Sequence, residues 1–151
     1  MSTATKIAAL KILLVEDNPS DVFLLRTAMV KAGLHFDLMV IADGAEALAH
    51  VDRMCRDGTM TCPDVILLDL NLPKYDGLEV LRHIRRSPAL AGVPVAIYTS
   101  SDSPADRLAS DRLGVSRYIV KPSQLKELAS VAGIVDQLGR APRDTGGTAP
   151  K

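Results

Sequence analysis

Five short apolar runs, separated by stretches with helical spacing, organise the chain: Lys11–Val15, Phe36–Ile41, Val65–Leu68, Val93–Thr99 and Arg117–Val120. Val65-Ile66-Leu67-Leu68 is apolar throughout and has two β-branched residues, the pattern of a strand covered on both faces in a parallel sheet. Between the runs, Asn18 can cap a helix that Pro19 opens, with Asp21 at the positive end of its dipole. Val22, Leu25, Met29 and Ala32 then share one face, and Gly33 ends that helix. Gly44–Arg56 predicts a second helix with Ala45, Leu48, Ala49 and Met54 inward. Leu78–Arg86 predicts a third, with Leu78, Leu81 and Ile84 inward and Pro88 as its stop. A fourth runs from the Ser103-Pro104 start to Leu113 and Gly114, and a fifth from about Gln124 to Leu138. Strand and helix alternate five times, with connections long enough for parallel crossovers. The expected fold is α/β, a single doubly wound domain over residues 11–138 with five parallel strands and five helices. Residues 1–10 form an N-terminal extension and residues 139–151, rich in Pro, Gly and Thr, a flexible tail.

Composition narrows the function. A chain of 151 residues with 47% hydrophobic and 24% charged residues suits one ordinary soluble domain. Eighteen basic residues balance eighteen acidic ones, which argues against the basic footprint of a nucleic-acid binder. Cys55 and Cys62 have no further Cys or His at zinc spacing, so both are expected free and reduced. The apolar stretch Ile7–Val15 is broken by Lys11 and followed at once by Glu16 and Asp17. That is too short to span a bilayer and lacks a cleavage pattern, so no membrane association is expected and a cytoplasmic location is the default.

The candidate chemistry lies where the apolar runs stop. The first ends on Glu16-Asp17, the third on Asp69, the fourth on Thr99-Ser100 and the fifth on Lys121. In open parallel sheets ligands bind outside the carboxyl ends of the strands. Converging carboxylates repel unless a cation offsets them, and an oxygen-only cluster with room for water suits Mg²⁺. Phosphoryl transfer needs a nucleophile, a metal to neutralise the phosphoryl oxygens and further donors. Asp69 can be the nucleophile, Glu16 and Asp17 the metal holders, Lys121 the partner of one phosphoryl oxygen and Thr99 the donor to another.

This set resembles the receiver domain of two-component response regulators. The matching residues are Glu16-Asp17, Asp69-Leu70-Asn71-Leu72-Pro73 followed by Asp76-Gly77, Thr99-Ser100, and Tyr118 three places before Lys121-Pro122. The resemblance covers roughly Lys11 to Leu138 and implies a flavodoxin-like strand order 2-1-3-4-5. It implies that Asp69 accepts a phosphoryl group from a sensor histidine kinase. Mg²⁺ would be held by Asp17 directly, by Glu16 mostly through water, by Asp69, and by the backbone carbonyl of Asn71. Glu16 stands where Asp is also common. The resemblance further implies a cis Lys121–Pro122 bond, and a switch in which Thr99 moves toward the phosphate and Tyr118 turns into the gap. More narrowly, the 54–63 connection, the wording of Leu68–Leu78 and the segment Ile97–Asp102 look like the stand-alone receivers paired with bacterial phytochrome kinases. With no output domain in the chain, the signal is expected to leave by protein contact or phosphorelay, and conventional enzyme turnover is not expected.

A haloacid-dehalogenase-type phosphohydrolase needs a second Asp two residues after its nucleophile, and here that position is Asn71. A non-phosphorylated receiver-like interaction module usually lacks the acceptor, the acid pair or the Lys, and all are present. A flavin-binding protein would want Gly and hydroxyls where the first strand–helix turn carries acids. His35, His50 and His83 are expected at the surface, and Arg82, His83, Arg85 and Arg86 on a solvated helix face. In the last helix Leu125, Leu128, Ala132 and Val135 make one apolar stripe. Val131, Ile134 and Leu138 make a second, a candidate homodimer or kinase contact.

Overall fold

The computed structural model describes residues 8–57 and 62–142, without the side chains of residues 55–57. The Cys55 side chain, residues 1–7 of the N-terminal extension and residues 143–151 of the tail lie outside the described residues. Five parallel strands, β1 (Leu10–Val15), β2 (Phe36–Ile41), β3 (Val65–Leu68), β4 (Val95–Thr99) and β5 (Arg117–Val120), form one sheet in the order β2-β1-β3-β4-β5. Helices α1 (Pro19–Lys31), α2 (Gly44–Asp57), α3 (Gly77–Arg86), α4 (Pro104–Arg112) and α5 (Leu128–Arg140) connect or follow them. This is the doubly wound fold that the alternation predicts. No described helix is long and apolar enough to cross a membrane.

Strand alternation divides the core in two. Leu13, Val15, Ile66, Leu68, Val95 and Ile97 face α2 and α3, meeting Val51, Met54, Leu81 and Ile84. Ile12, Leu14, Val65, Leu67, Ala96, Tyr98 and Ile119 face α1 and α5, meeting Leu25, Met29, Val131 and Val135. All four β3 residues are fully buried, as a central strand with helices on both sides requires.

Several local expectations change. The inward stripe of α2 is Ala47, Val51 and Met54, while Ala49 is exposed. The rotation is set at Gly44, whose amide donates to Pro73 O at 3.2 Å and whose Cα is pressed so hard against Tyr75 that no side chain fits. β4 begins at Val95, after Pro94, which has no amide to give to the ladder. A 3₁₀ turn over Leu125–Glu127 precedes α5, so Leu125 is 68% exposed rather than part of the inner stripe. Of the proposed outer stripe, Val131 is buried and Ile134 and Leu138 are partly buried against the α1–α5 core, which leaves little free apolar face there. His50 is buried, and His83 Nε2 lies 2.7 Å from Asp52, tying α3 to α2. Arg85 is no solvated residue: its guanidinium donates to the carbonyls of Leu113, Gly114, Ala91 and Val93, closing the loops at the amino ends of β4 and β5.

Candidate functional site

Backbone hydrogen bonds sew the strand ends together. Glu16 N donates to Ile41 O (2.9 Å), Asp69 N to Val15 O (3.1 Å) and Lys121 N to Thr99 O (2.7 Å). The first residue beyond each strand is therefore held as firmly as the strand itself. The Asp76-Gly77 pair has a similar role. Asp76 caps α3 in a reciprocal capping box with Glu79. Gly77 lies directly on the Asp69 carbonyl and Leu70 Cα, where a Cβ would collide with both, and donates to Leu70 O at 2.9 Å. The helix start thus buttresses the backbone of Asp69.

One carboxylate oxygen each from Glu16, Asp17 and Asp69 lies within 4.8 Å of the others, and Lys121 enters from β5. The Lys121 ammonium is 2.9 Å from Asp69 Oδ2, 2.8 Å from Glu16 Oε1 and 2.7 Å from Asp21 Oδ2. Glu16 and Asp69 are nearly buried and Asp17 is exposed, so the cluster opens to solvent on one side. The second oxygens are engaged locally: Asn18 N donates to Glu16 Oε2 (3.1 Å) and Asn71 N to Asp69 Oδ1 (3.0 Å).

The electrostatics are unbalanced. Burial pushes the Glu16 carboxyl up to about 7; Lys121 opposes the shift and the Asp69 carboxylate adds to it. Burial alone would lower the Lys121 pKa, but the carboxylates of Asp21, Glu16 and Asp69 outweigh it and hold the ammonium above its ordinary range. Burial, with the nearby Asp21 carboxylate next, pushes the Tyr98 phenol up to about 12; its ring centroid is 5.8 Å from Lys121 Nζ. Two unit charges at the 4.8 Å limit repel by roughly 3 kcal/mol at an effective dielectric near 20. Even with Glu16 protonated, the carboxylates of Asp17, Asp21 and Asp69 outnumber the single Lys121 ammonium, and ionisation of Glu16 widens the excess of negative charge. Glu16 Oε1 is buried without a well-aligned hydrogen-bond donor, although Lys121 is close. An all-oxygen, solvent-open, anionic cluster with a buried acceptor left over fits a hard divalent cation.

A profile of the response regulator receiver domain matches residues 12–132. The chain belongs to that family. It is 38% identical over 117 residues to the response regulator Rcp1 of Synechocystis, an alignment spanning 78% of this chain and 80% of Rcp1. Rcp1 has been solved in a Mn²⁺-bound form, which superimposes with a TM-score of 0.77 at 33% identity, covering 90% of this chain and 99% of that one. The phosphorylated cyanobacterial phytochrome response regulator RcpA matches with a TM-score of 0.80 at 35% identity, covering 91% and 100%. The bacteriophytochrome response regulator RtBRR matches with a TM-score of 0.71 at 40% identity, covering 95% and 86%.

Thr99 ends β4 fully buried, and its Oγ1 accepts a long hydrogen bond from Ser101 N (3.4 Å). Tyr118 is half-buried against the α2–α3 side; its hydroxyl donates to Ser101 O (2.9 Å) and Arg107 lies 4.6 Å over its ring. Alternation along β5 separates the two functions, since Lys121 shares the parity of Ile119, toward α1, and Tyr118 points the other way. The Lys121–Pro122 bond is trans, contrary to the family-based expectation. The two X–Pro isomers differ by only about 1 kcal/mol, and the trans chain brings the ammonium onto all three acids. Two members of the site were not anticipated, Asp21 and Tyr98. Both could have been found from periodicity: Asp21 is four residues before Leu25 and eight before Met29 on the buried stripe of α1, and Tyr98 shares the parity of Ala96.

Proposed function

We propose that this receiver accepts a phosphoryl group on Asp69 from a sensor histidine kinase of the bacteriophytochrome class, with Mg²⁺ as cofactor, in the cytoplasm. It passes the signal on by phosphorylation-dependent protein contact or phosphorelay. The observation that carries the proposal is the placement of Asp69: a nearly buried carboxylate 2.9 Å from an ammonium and clustered with two more acids. Two of the similar structures are phytochrome response regulators by name, which supports the kinase class.

An Asp69 carboxylate oxygen attacks the phosphorus of a phosphohistidine; the P–O bond forms as the P–N bond breaks, and the electron pair returns to the imidazole of the kinase. Glu16, Asp17, Asp69 and the Asn71 carbonyl would hold Mg²⁺, which when bound would supply charge neutralisation of the phosphoryl oxygens. Lys121 moves its ammonium from Asp69 Oδ2 to a phosphoryl oxygen without leaving the pocket. Thr99 donates its hydroxyl to another oxygen, which draws the end of β4 inward, and Tyr118 leaves Ser101 O to follow it. Modification thereby biases a two-state element on the α4–β5 surface. The protein turns over no external substrate apart from gain and loss of its own phosphate. A homodimer through the C-terminal helix region would use the exposed parts of Ile134 and Leu138, and sedimentation at micromolar concentration tests it, a strict monomer ruling it out.

Incubation with acetyl phosphate and Mg²⁺, followed by intact mass measurement, tests the proposal. A single phosphate adduct is expected on the wild type and none on Asp69→Asn or in excess chelator. A wild type that stays unmodified would instead mark a receiver-like interaction module.

A further inference from the structure

Two sets of acids overlap in the site without coinciding. Glu16, Asp17 and Asp69 form the cluster able to share a cation, whereas Lys121 is paired with Glu16, Asp69 and Asp21. Asp21 therefore belongs to the lysine alone. Its contact is the shortest of the three at 2.7 Å, and its side chain is only 26% exposed. It is held there by the start of α1: Asn18 caps the helix on Ser20 N, Pro19 sets the first turn, and Leu25 and Met29 anchor the same stripe in the core. The Tyr98 ring centroid is 5.8 Å from the ammonium and the phenol stays neutral, so this neighbour offers no counter-charge.

A divalent ion on Glu16, Asp17 and Asp69 would meet Lys121 on two of its own ligands. Like charges sharing those oxygens repel, so either the ion binds weakly or the ammonium leans on an anion outside the set. We propose that Asp21 is a positioning residue that serves as this anion: it retains the Lys121 ammonium beside Asp69 when a divalent cation occupies the acid cluster, and so lessens the competition between lysine and metal. The proposal rests on the metal site assigned above. It makes Asp21 a partner of Lys121 rather than a further metal ligand.

Titration calorimetry with Mg²⁺ on the full chain tests it, using Asp21→Asn, Lys121→Ala, the double variant and Asp21→Glu, with thermal melts to confirm folding. Asp21→Asn is expected to weaken Mg²⁺ binding roughly three- to tenfold, because the ammonium then has only Glu16 and Asp69 to pair with. Lys121→Ala is expected to tighten binding, and in that background Asp21→Asn should change affinity by no more than about twofold, the residue of a plain charge effect. Asp21→Glu should restore most of the loss. Unchanged affinity in Asp21→Asn, or the same loss with and without Lys121, overturns the proposal. A wild type that binds no Mg²⁺ removes the metal assignment itself and this inference with it, an outcome distinct from Mg²⁺ binding that ignores Asp21.

Discussion

The body of β3 and the residue that follows it are equally buried and oppositely built. Val65, Ile66, Leu67 and Leu68 are all 0% exposed and pack on both faces, so their burial stabilises the fold unaided. Asp69 is 4% exposed, yet its neighbours are two carboxylates and an ammonium shared with a third. The strand bodies are satisfied, and the strand ends remain anionic. The difference teaches that burial alone does not define a core: the rim of this sheet is ordered by the same ladder but gathers charges of one sign that a cation suits.

Substitutions in the two regions should separate accordingly. The largest effect is expected from Leu67→Ala, which removes a fully buried side chain and should lower unfolding free energy by about 2–5 kcal/mol in urea titrations. The extra stability conferred by saturating Mg²⁺ should remain as in wild type. Gly77→Ala lies on the boundary. A Cβ there meets the Asp69 carbonyl, so about 1–3 kcal/mol of destabilisation should come together with weaker Mg²⁺ binding, both readable in one set of melts. If the variant melts normally and binds Mg²⁺ normally, the buttress assigned to α3 is wrong.

Glu16 gives a pH signature that the core lacks. Its carboxyl is raised from 4.5 to about 7 in the folded protein, so between these values the native state binds the extra proton. That contribution to stability is complete below 4.5 and is lost as pH rises through about 7. The cation-free protein should lose melting temperature over this window, and Glu16→Gln should flatten the curve. The smallest effect is expected at Asp136→Asn. It breaks an i,i+4 pair with Arg140 whose members are 41% and 37% exposed, and should cost less than about 0.5 kcal/mol. A loss as large as that of Gly77→Ala would show that exposed charges matter as much as buried ones.

Much of this was legible along the chain because its signals are local. An apolar run ending on an acid identifies both a strand and its mouth, so β1, β3 and the cluster of Glu16, Asp17 and Asp69 follow from short windows. The alternation also places Lys121 at the same edge. What escaped is non-local. Periodicity puts Asp21 on the inner face of α1 but does not say that it meets Lys121, 100 residues away, nor that Arg85 donates to the carbonyl of Leu113, 28 residues on. The α2 register turned on Gly44 meeting Tyr75, and Leu125 was misplaced because a 3₁₀ turn offsets the phase of α5.

The most direct measurement is to locate the acceptor atom. After reaction with acetyl phosphate and Mg²⁺, borohydride reduction converts an aspartyl phosphate to homoserine, which peptide mass spectrometry assigns to one position. The residue at position 69 should be converted in the wild type, and conversion should vanish with chelator. Conversion at Asp17, Asp21 or any other carboxylate, or none at all, would contradict the account.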